Sequence, residues 1–327
     1  MRLRVKLLLT TIGVFGFCSP ALAFDCGKAA TPVEKTICSD PALKAKDDAL
    51  GALYADVKAA STPDERKMLA VAQRAWIAER EDACSNPGDT ECVAGKTDER
   101  IGQFKVVPES GPGAGSRMIP VFVAQTGDAH HYTVAFNMAR FASPASPGEK
   151  AFNTAIDDVV AKAPLARNED SSGDRVYESD ADLTISYASP RFISAANSYW
   201  SDDGGAHGNG GVENINVDLA QGKVIEVADV LTEDGAAKLR AACREQIVAE
   251  KKERNDGDYK PEDDSFLTDD VIAEHIATFS RWSFSAKDAT ISFDSYAVGA
   301  YAEGAYDCTF PLDVIRAAAK PGAPLPE

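Results

Sequence analysis

The stretch Asp202-Asp203-Gly204-Gly205-Ala206-His207-Gly208-Asn209-Gly210-Gly211 sets two carboxylates and an imidazole among glycines that let a backbone approach a neighbour closely. Asp202, Asp203 and His207 together could hold a divalent ion and activate water, the chemistry of a metal-dependent hydrolase. A turn between strands whose histidine donates to the loop backbone accounts for the same residues without a reaction, and this is the preferred reading. Contact with a partner is the third. The other histidines add no chemistry: His130 and His131 stand at the entry to a strand pattern, His275 lies beside Ile276 in a helix pattern, and none has a second histidine at ligand spacing. GxSxG, HExxH, phosphate-loop, GxGxxG and EF-hand patterns are missing, and the acidic tract around Asp256 lacks a calcium ladder. The sequence therefore predicts a protein that is not an enzyme, with no cofactor and no resident metal.

The cysteines point to cross-links. Arg2, Arg4 and Lys6, an apolar run from Leu7 to Phe17 and Ser19-Pro20-Ala21-Leu22-Ala23 form the pattern of a cleavable export signal over residues 1–23, cut after Ala23. Phe17 is too large for the position before Cys18 in a lipoprotein box, and no run approaches the roughly 20 apolar residues of a spanning helix. Stable membrane insertion is not expected. Cleavage leaves Cys26, Cys38, Cys84, Cys92, Cys243 and Cys308, an even set in an exported chain, which is a disulfide framework. The first four share one segment and imply two bridges there, with Cys243 left to Cys308. All three connectivities of the first four remain open, the local pairs Cys26 with Cys38 and Cys84 with Cys92 being preferred. No CxxC pair or nearby histidine supports zinc.

Among 327 residues, 34 basic and 51 acidic side chains give a net charge of −17, or −20 once the three basic residues of the signal are removed. Such a chain is a poor ligand for nucleic acid or anionic lipid and a good one for a cationic partner. Residues 24–105 hold 15 acidic and 12 basic side chains and residues 106–327 hold 36 and 19, so the acidic field belongs to the second part. The acid-rich run from Glu250 to Asp270 reads as a solvated loop rather than a docking surface.

The fold class is α+β, an N-terminal disulfide-linked all-α helical hairpin module followed by an α+β domain with mainly antiparallel sheet. Over residues 24–105, Thr31-Pro32-Val33-Glu34 is a capping box, Asp40-Pro41 starts a second helix with Leu43, Leu50, Leu53, Tyr54 and Val57 on one stripe, and Pro63 opens a third with Leu69, Gln73, Trp76, Arg80 and Cys84 on one face. The stretch from Val107 to Ser116, rich in glycine and proline, reads as an interdomain linker over 106–116. Residues 117–320 then alternate strand and helix patterns. Ile119 to Ala124, Tyr132 to Phe136 and Leu183 to Tyr187 read as strands, with a helix capped by Ser146 between the last two. Glu213 to Leu219 and Lys223 to Val227 form a hairpin. Helices carrying Leu239, Cys243 and Ile247 and then Val271, Ile272 and Ile276 follow, and strands around Thr290 to Tyr296 and Cys308 to Phe310 close the domain.

Two resemblances attach to these residues. Asp25-Cys26, Lys28-Ala29, Glu34-Lys35, Ile37-Cys38, Asp40, Leu43, Asp47, Leu50, Tyr54, Gln73-Arg74-Ala75-Trp76, Arg80, Cys84, Cys92 and Arg100-Ile101 resemble the LprI-type lysozyme-inhibitor N-terminal domain over nearly all of residues 24–105. Thr97 departs from it, standing where relatives commonly show tyrosine. Tyr199, Gly204 to Gly208, Asn216, Asp218, Gly222-Lys223, Asp229-Val230-Leu231, Phe293, Tyr296, Gly299, Tyr301 to Gly304 and Pro311-Leu312 are similar to the extracellular part of lysozyme-sensing anti-sigma factors (DUF3298/DUF4163-like) from about 117 to 320. Ala300 stands where that family usually has proline. The family's module binds rather than cleaves, lysozyme is the partner identified for the anti-sigma factor, and the domain also accompanies some peptidoglycan deacetylases. The sigma-binding segment and membrane helix of that architecture are not expected here, so signalling is not implied.

Together the resemblances imply a periplasmic or secreted lysozyme-binding protein, a lysozyme inhibitor that protects peptidoglycan. Tyr199, Trp200, Asp202, Asp203, His207, Tyr296, Tyr301 and Glu303 are the expected contact residues, aromatic anchors in an acidic loop surface suited to a basic enzyme. The alternatives are a peptidoglycan or envelope-binding module without a lysozyme partner and the metal-dependent cell-wall hydrolase. Gln73, Trp76 and Arg80 are read as hairpin packing rather than as a binding face.

Overall fold

The computed structural model describes residues 25–126, 132–165 and 177–327. The export signal over 1–23 and the pair His130 and His131 lie outside the described residues. Each early helix begins on a cap supplied by its own sequence. In α1 (Pro32–Ser39) the Thr31 hydroxyl accepts from Glu34 N–H while the Glu34 carboxylate takes the Thr31 N–H. Asp40 accepts from the Ala42 and Leu43 N–H groups to open α2 (Pro41–Ala60), and Thr62 with Glu65 repeats the capping box at α3 (Pro63–Ala83). A further helix not anticipated in the sequence, α4 (Thr90–Lys105), starts where Asp89 accepts from Cys92 N–H. Disulfides join Cys26 to Cys38 and Cys84 to Cys92. The α2 and α3 stripes meet through Leu50, Val57 and Leu69, and Arg80 Nη1 lies 3.5 Å from Asp47 Oδ1, but α2 packs along more of its length against α4.

The chain then forms β1 (Met118–Thr126), β2 (Tyr132–Phe141), α5 (Pro147–Ala161), β3 (Tyr177–Ala188), β4 (Phe192–Asp202), β5 (Asn209–Asp218) and β6 (Lys223–Val224), a six-stranded sheet in sequence order. Its pairs are antiparallel except β2 with β3, which are parallel; a parallel pair needs a crossover, and α5 lies in it. After α6 (Val227–Val230), α7 (Glu233–Arg254) and α8 (Asp269–Ala277), a second antiparallel sheet is built from β7 (Trp282–Phe284), β8 (Asp288–Phe293) and β9 (Tyr306–Pro311), followed by α9 (Leu312–Ala318). The Cys243–Cys308 disulfide ties α7 to β9 inside a core that includes Leu239, Ile247, Trp282, Phe284 and Ile291.

The two faces of the large sheet are covered differently. On one, Val134, Phe136 and Met138 pack with Phe152 and Ile156 of α5. On the other, Phe122 joins Leu50, Val57, Leu69 and Phe104 of the helical layer, while at the far strands Asn216 Nδ2 donates to the Phe279 and Trp282 carbonyls and Ser194 Oγ accepts from Phe284 N–H. The helical layer and the second sheet thus share one face from opposite sides. Residues 106–116, expected as a linker, run beside β3 where its pairing with β2 has ended: Glu109 N–H donates to Ile185 O at 2.8 Å and Gly113 N–H to Ala188 O at 2.9 Å. Gly111 adopts a φ of 88° there, and a β-carbon would fall 2.3 Å from the Ala188 carbonyl oxygen.

The acid-rich run 250–270, expected to be solvated, is partly turned inward. Lys251 is buried and its ammonium lies 2.9 Å from Asp264 Oδ2 and 2.8 Å from Glu303 Oε2, over the rings of Tyr306 and Tyr259. A buried cation demands carboxylate partners, and it draws Asp264 out of water.

Candidate functional site

The glycine-rich segment sits between β4 and β5, and its glycines make room for specific side chains. A β-carbon on Gly208 would lie 2.3 Å from the Trp200 ring and one on Gly210 3.0 Å from it, so the indole lies over a strip of bare backbone. At Gly211 the vacant space is taken by the Asp294 carboxylate, 2.5 Å from where a β-carbon would stand. Asp294 accepts from Val212 N–H and pairs with Arg281, fastening the turn after β8 to β5. Asp202 accepts from Gly204 N–H at 2.7 Å, which closes the loop, and Asp203 is exposed.

His207 is engaged at both ring nitrogens. Nδ1 is 2.9 Å from the Gly208 carbonyl, which can only accept, so Nδ1 carries a proton; in the neutral ring Nε2 is left to accept from the Tyr296 hydroxyl at 3.3 Å. The ring stacks on Tyr301 with centroids 4.0 Å apart, and the Tyr301 hydroxyl donates to the Gly208 carbonyl at 3.0 Å. Tyr296 holds a φ of 75°, a left-handed backbone that a bulky residue adopts only under constraint, and its ring remains 50% exposed. Among the described residues no group of three His, Cys, Asp or Glu side chains is placed to hold a metal ion.

The expected contact residues therefore divide. His207, Tyr296 and the half-buried Tyr301 form one aromatic corner, beside which the exposed Trp200 lies across Gly208. Tyr199, its neighbour on β4, points to the opposite side of the strand, and burial together with Asp294 pushes its hydroxyl pKa up. Glu303 is committed to structure: it holds Lys251, accepts from the Tyr306 hydroxyl at 2.8 Å and accepts from Ala300 N–H at 2.7 Å. Burial opposes its ionisation, but the Lys251 ammonium and the Ala300 N–H hold the carboxyl below its ordinary value. A proline at 300 would have no N–H to give, so Ala300 permits this bond. Beside the corner a cleft of about 370 Å³ is lined by Trp200, Gly210, Val212, Asp294, Tyr301 and Asp307. Burial, with Glu250 and Asp294 nearby, raises the Asp307 carboxyl, although Ser292 opposes this.

One set of residues was missed in the sequence. In β3, Glu178, Asp180 and Asp182 alternate with Ser179, Ala181 and Leu183, so all three carboxylates stand on one face, and Trp200 is the direct cross-strand neighbour of Asp180. Asn137 Nδ2 donates to Asp182 Oδ1 at 2.6 Å from the adjoining strand. Burial first, then Glu178 and Asp182, push the Asp180 carboxyl up to about 6. The period-two alternation was the available signal.

In the helical layer, Trp76 lies between two guanidinium groups, Arg80 at 4.5 Å and Arg100 at 5.8 Å from its ring centroid, and both arginines are buried. Arg100 also stacks over Phe122 of β1 and bonds Gln73 and Gln103. These residues pack the layer and dock it on the sheet. Thr97 is buried and its hydroxyl returns to the Val93 carbonyl within α4.

Comparison with known proteins follows the same division. Residues 26–104 match the family model described as Lysozyme inhibitor LprI, and residues 228–313 match that of a protein of unknown function, DUF3298. Neither description names an enzyme. No curated protein matches the sequence. Among solved structures, a DUF3298 family member from Bacteroides fragilis aligns with a TM-score of 0.47 at 14% identity, covering 64% of this chain and 95% of its own. A DUF3298 family protein from Pseudomonas aeruginosa aligns with a TM-score of 0.49 at 15% identity, covering 66% and 100%. Three disulfides and the LprI match fit an extracellular or periplasmic protein, and among the described residues no helix is long and apolar enough to cross a membrane.

Proposed function

We propose that this chain is exported after cleavage near Ala23 and binds lysozyme, inhibiting it and so protecting peptidoglycan. The observation that carries this reading is the match of residues 26–104 to the lysozyme-inhibitor family. Its physical complement is the surplus of 36 acidic over 19 basic side chains in residues 106–327, a field that steers a basic enzyme toward the molecule. The chain acts by occupying a surface and performs no reaction of its own.

Calorimetry of the full mature chain against chicken-type, goose-type and invertebrate-type lysozymes, paired with a cell-wall lysis assay, tests the proposal. Saturable binding that persists at physiological salt, with lysis inhibited in proportion to occupancy, is expected of at least one type. Binding that vanishes by about 0.15 M salt is charge attraction alone, because exposed charges are then screened beyond about 8 Å. That result, no binding to any type, or turnover of muropeptides by the chain itself would each refute the proposal.

A further inference from the structure

Among the described residues, the face of the large sheet that carries Phe122, Ser194 and Asn216 is covered at its two ends and open between them. The helical layer lies over β1 and the second sheet over the far part of β4 and β5. Cross-strand partners place Asn137, Asp182 and Ser198 in one row and Asp180 and Trp200 in the next, all on this face. Glu178, Asp182, Thr184, Ser198 and Trp200 are exposed. A cleft of about 290 Å³ opens there between the end of α4, the segment 106–109 and the sheet, with Asn137, Asp182 and Thr184 among its lining. Walls on both sides, an acidic floor and an exposed indole make an unpartnered sheet face.

We infer that this open strip, from Asp182 across Asp180 to Trp200 and on to Tyr301, is the surface on which a folded basic protein docks. It rests on the proposed function and names the footprint that function would use. Charge complementarity selects the occupant. No ion pair neutralises Glu178, Asp180 or Asp182 among the described residues, so no described cation competes with the cationic side chains of a partner for these carboxylates. Arginine or lysine can also lie over Trp200. A muropeptide, itself carrying carboxylates, would meet repulsion on the same strip. The raised Asp180 carboxyl is a sign of crowding that a bound cation would relieve.

The test is calorimetry of the mature chain and three variants with the lysozyme type that the wild type binds, at low and at physiological salt. Asp180→Asn/Asp182→Asn and, separately, Trp200→Ala are expected to weaken binding at least tenfold, while the equal-charge control Glu233→Gln/Asp313→Asn changes it less than twofold. Carboxyl labelling of the unaltered chain guards against misfolded variants: Glu178 and Asp182 are expected to lose labelling in the complex. Wild-type binding with unchanged affinity in both strip variants, or undiminished labelling, overturns the footprint while leaving the function standing. Absence of wild-type binding to any lysozyme overturns both. Retention of sacculi that depends on Trp200, with lysozyme affinity intact in its variant, overturns the footprint in favour of a glycan.

Discussion

At Gly208 the requirement is spatial. The residue faces the Trp200 ring so closely that a methyl group would displace the indole, and overpacking of this kind costs about 1–3 kcal/mol. Gly208→Ala is therefore expected to lower the melting temperature and to alter tryptophan emission. In a Trp200→Ala background the same change should cost less, though not nothing, because the Ser201 carbonyl oxygen stays 2.8 Å from the β-carbon position; a double-mutant cycle measures the part due to the indole. Asp180 obeys a different rule. Its folded pKa, about 6, lies above the ordinary carboxyl value, so the folded protein binds the proton more tightly than the unfolded chain. Stability falls as pH rises from about 4 to about 6 and the penalty stays at higher pH. Asp180→Asn should accordingly stabilise the chain at pH 7, by about 1 kcal/mol after solvent screening of a partly exposed group, with the gain disappearing near pH 4. Denaturant unfolding at the two pH values checks it; equal gains at both would show that the carboxylate is not crowded.

Among the elements, the disulfides divide by what they close. Cys243 and Cys308 are 65 residues apart, whereas Cys84 and Cys92 are 8 apart. By chain entropy alone the longer loop contributes about 4 kcal/mol and the shorter about 2.5 kcal/mol. Paired Cys→Ala replacement should follow that order in denaturant midpoints, the Cys243 and Cys308 variant also losing the tie between α7 and β9. Several helices were legible from their starting residues: Thr31 with Glu34, Asp40-Pro41, Pro63 and Ser146 all open helices. α4 was hidden because Asp89 stands among Asn86, Pro87 and Gly88, which read as loop, and because its buried side chains include Thr97 and Arg100 rather than a run of apolar residues. Composition also concealed the role of residues 106–116, since a glycine-rich run leaves its backbone free and here that backbone bonds β3. The aromatic corner was partly legible: His207, Tyr296, Tyr301 and Trp200 do gather. Glu303 could not be separated from them by sequence, because its partner Lys251 lies 52 residues away.

Across the whole molecule the helical layer and the large sheet are joined by a shared core, by an exposed ion pair of Asp56 with Arg117 at 3.0 Å and by a more buried one of Glu65 with Arg140. Phe122 of β1 packs among Leu50, Val57, Leu69 and Phe104, and Glu65 receives two bonds from Arg140, at 2.7 and 2.8 Å, with both side chains largely buried. Burial opposes ionisation of Glu65, yet the Arg140 guanidinium and the Thr62 N–H hold its carboxyl below the ordinary value. A depressed carboxyl contributes stability that is present above the unfolded pKa, about 4.3, and is lost as pH falls through the lower folded value. We propose that the boundary between 24–105 and 117–320 behaves accordingly. Calorimetric unfolding should be a single transition at pH 7 and should separate into two as pH falls below about 4, the helical layer melting first. Phe122→Ala, which removes about 3–5 kcal/mol of packing at the junction, should produce the separation already at neutral pH. Glu65→Gln should do so to a smaller degree, because it keeps one acceptor for Arg140. Two transitions in the wild type at pH 7 would mean that the halves unfold independently, and lysozyme affinity could then be assigned to either half by expressing it alone.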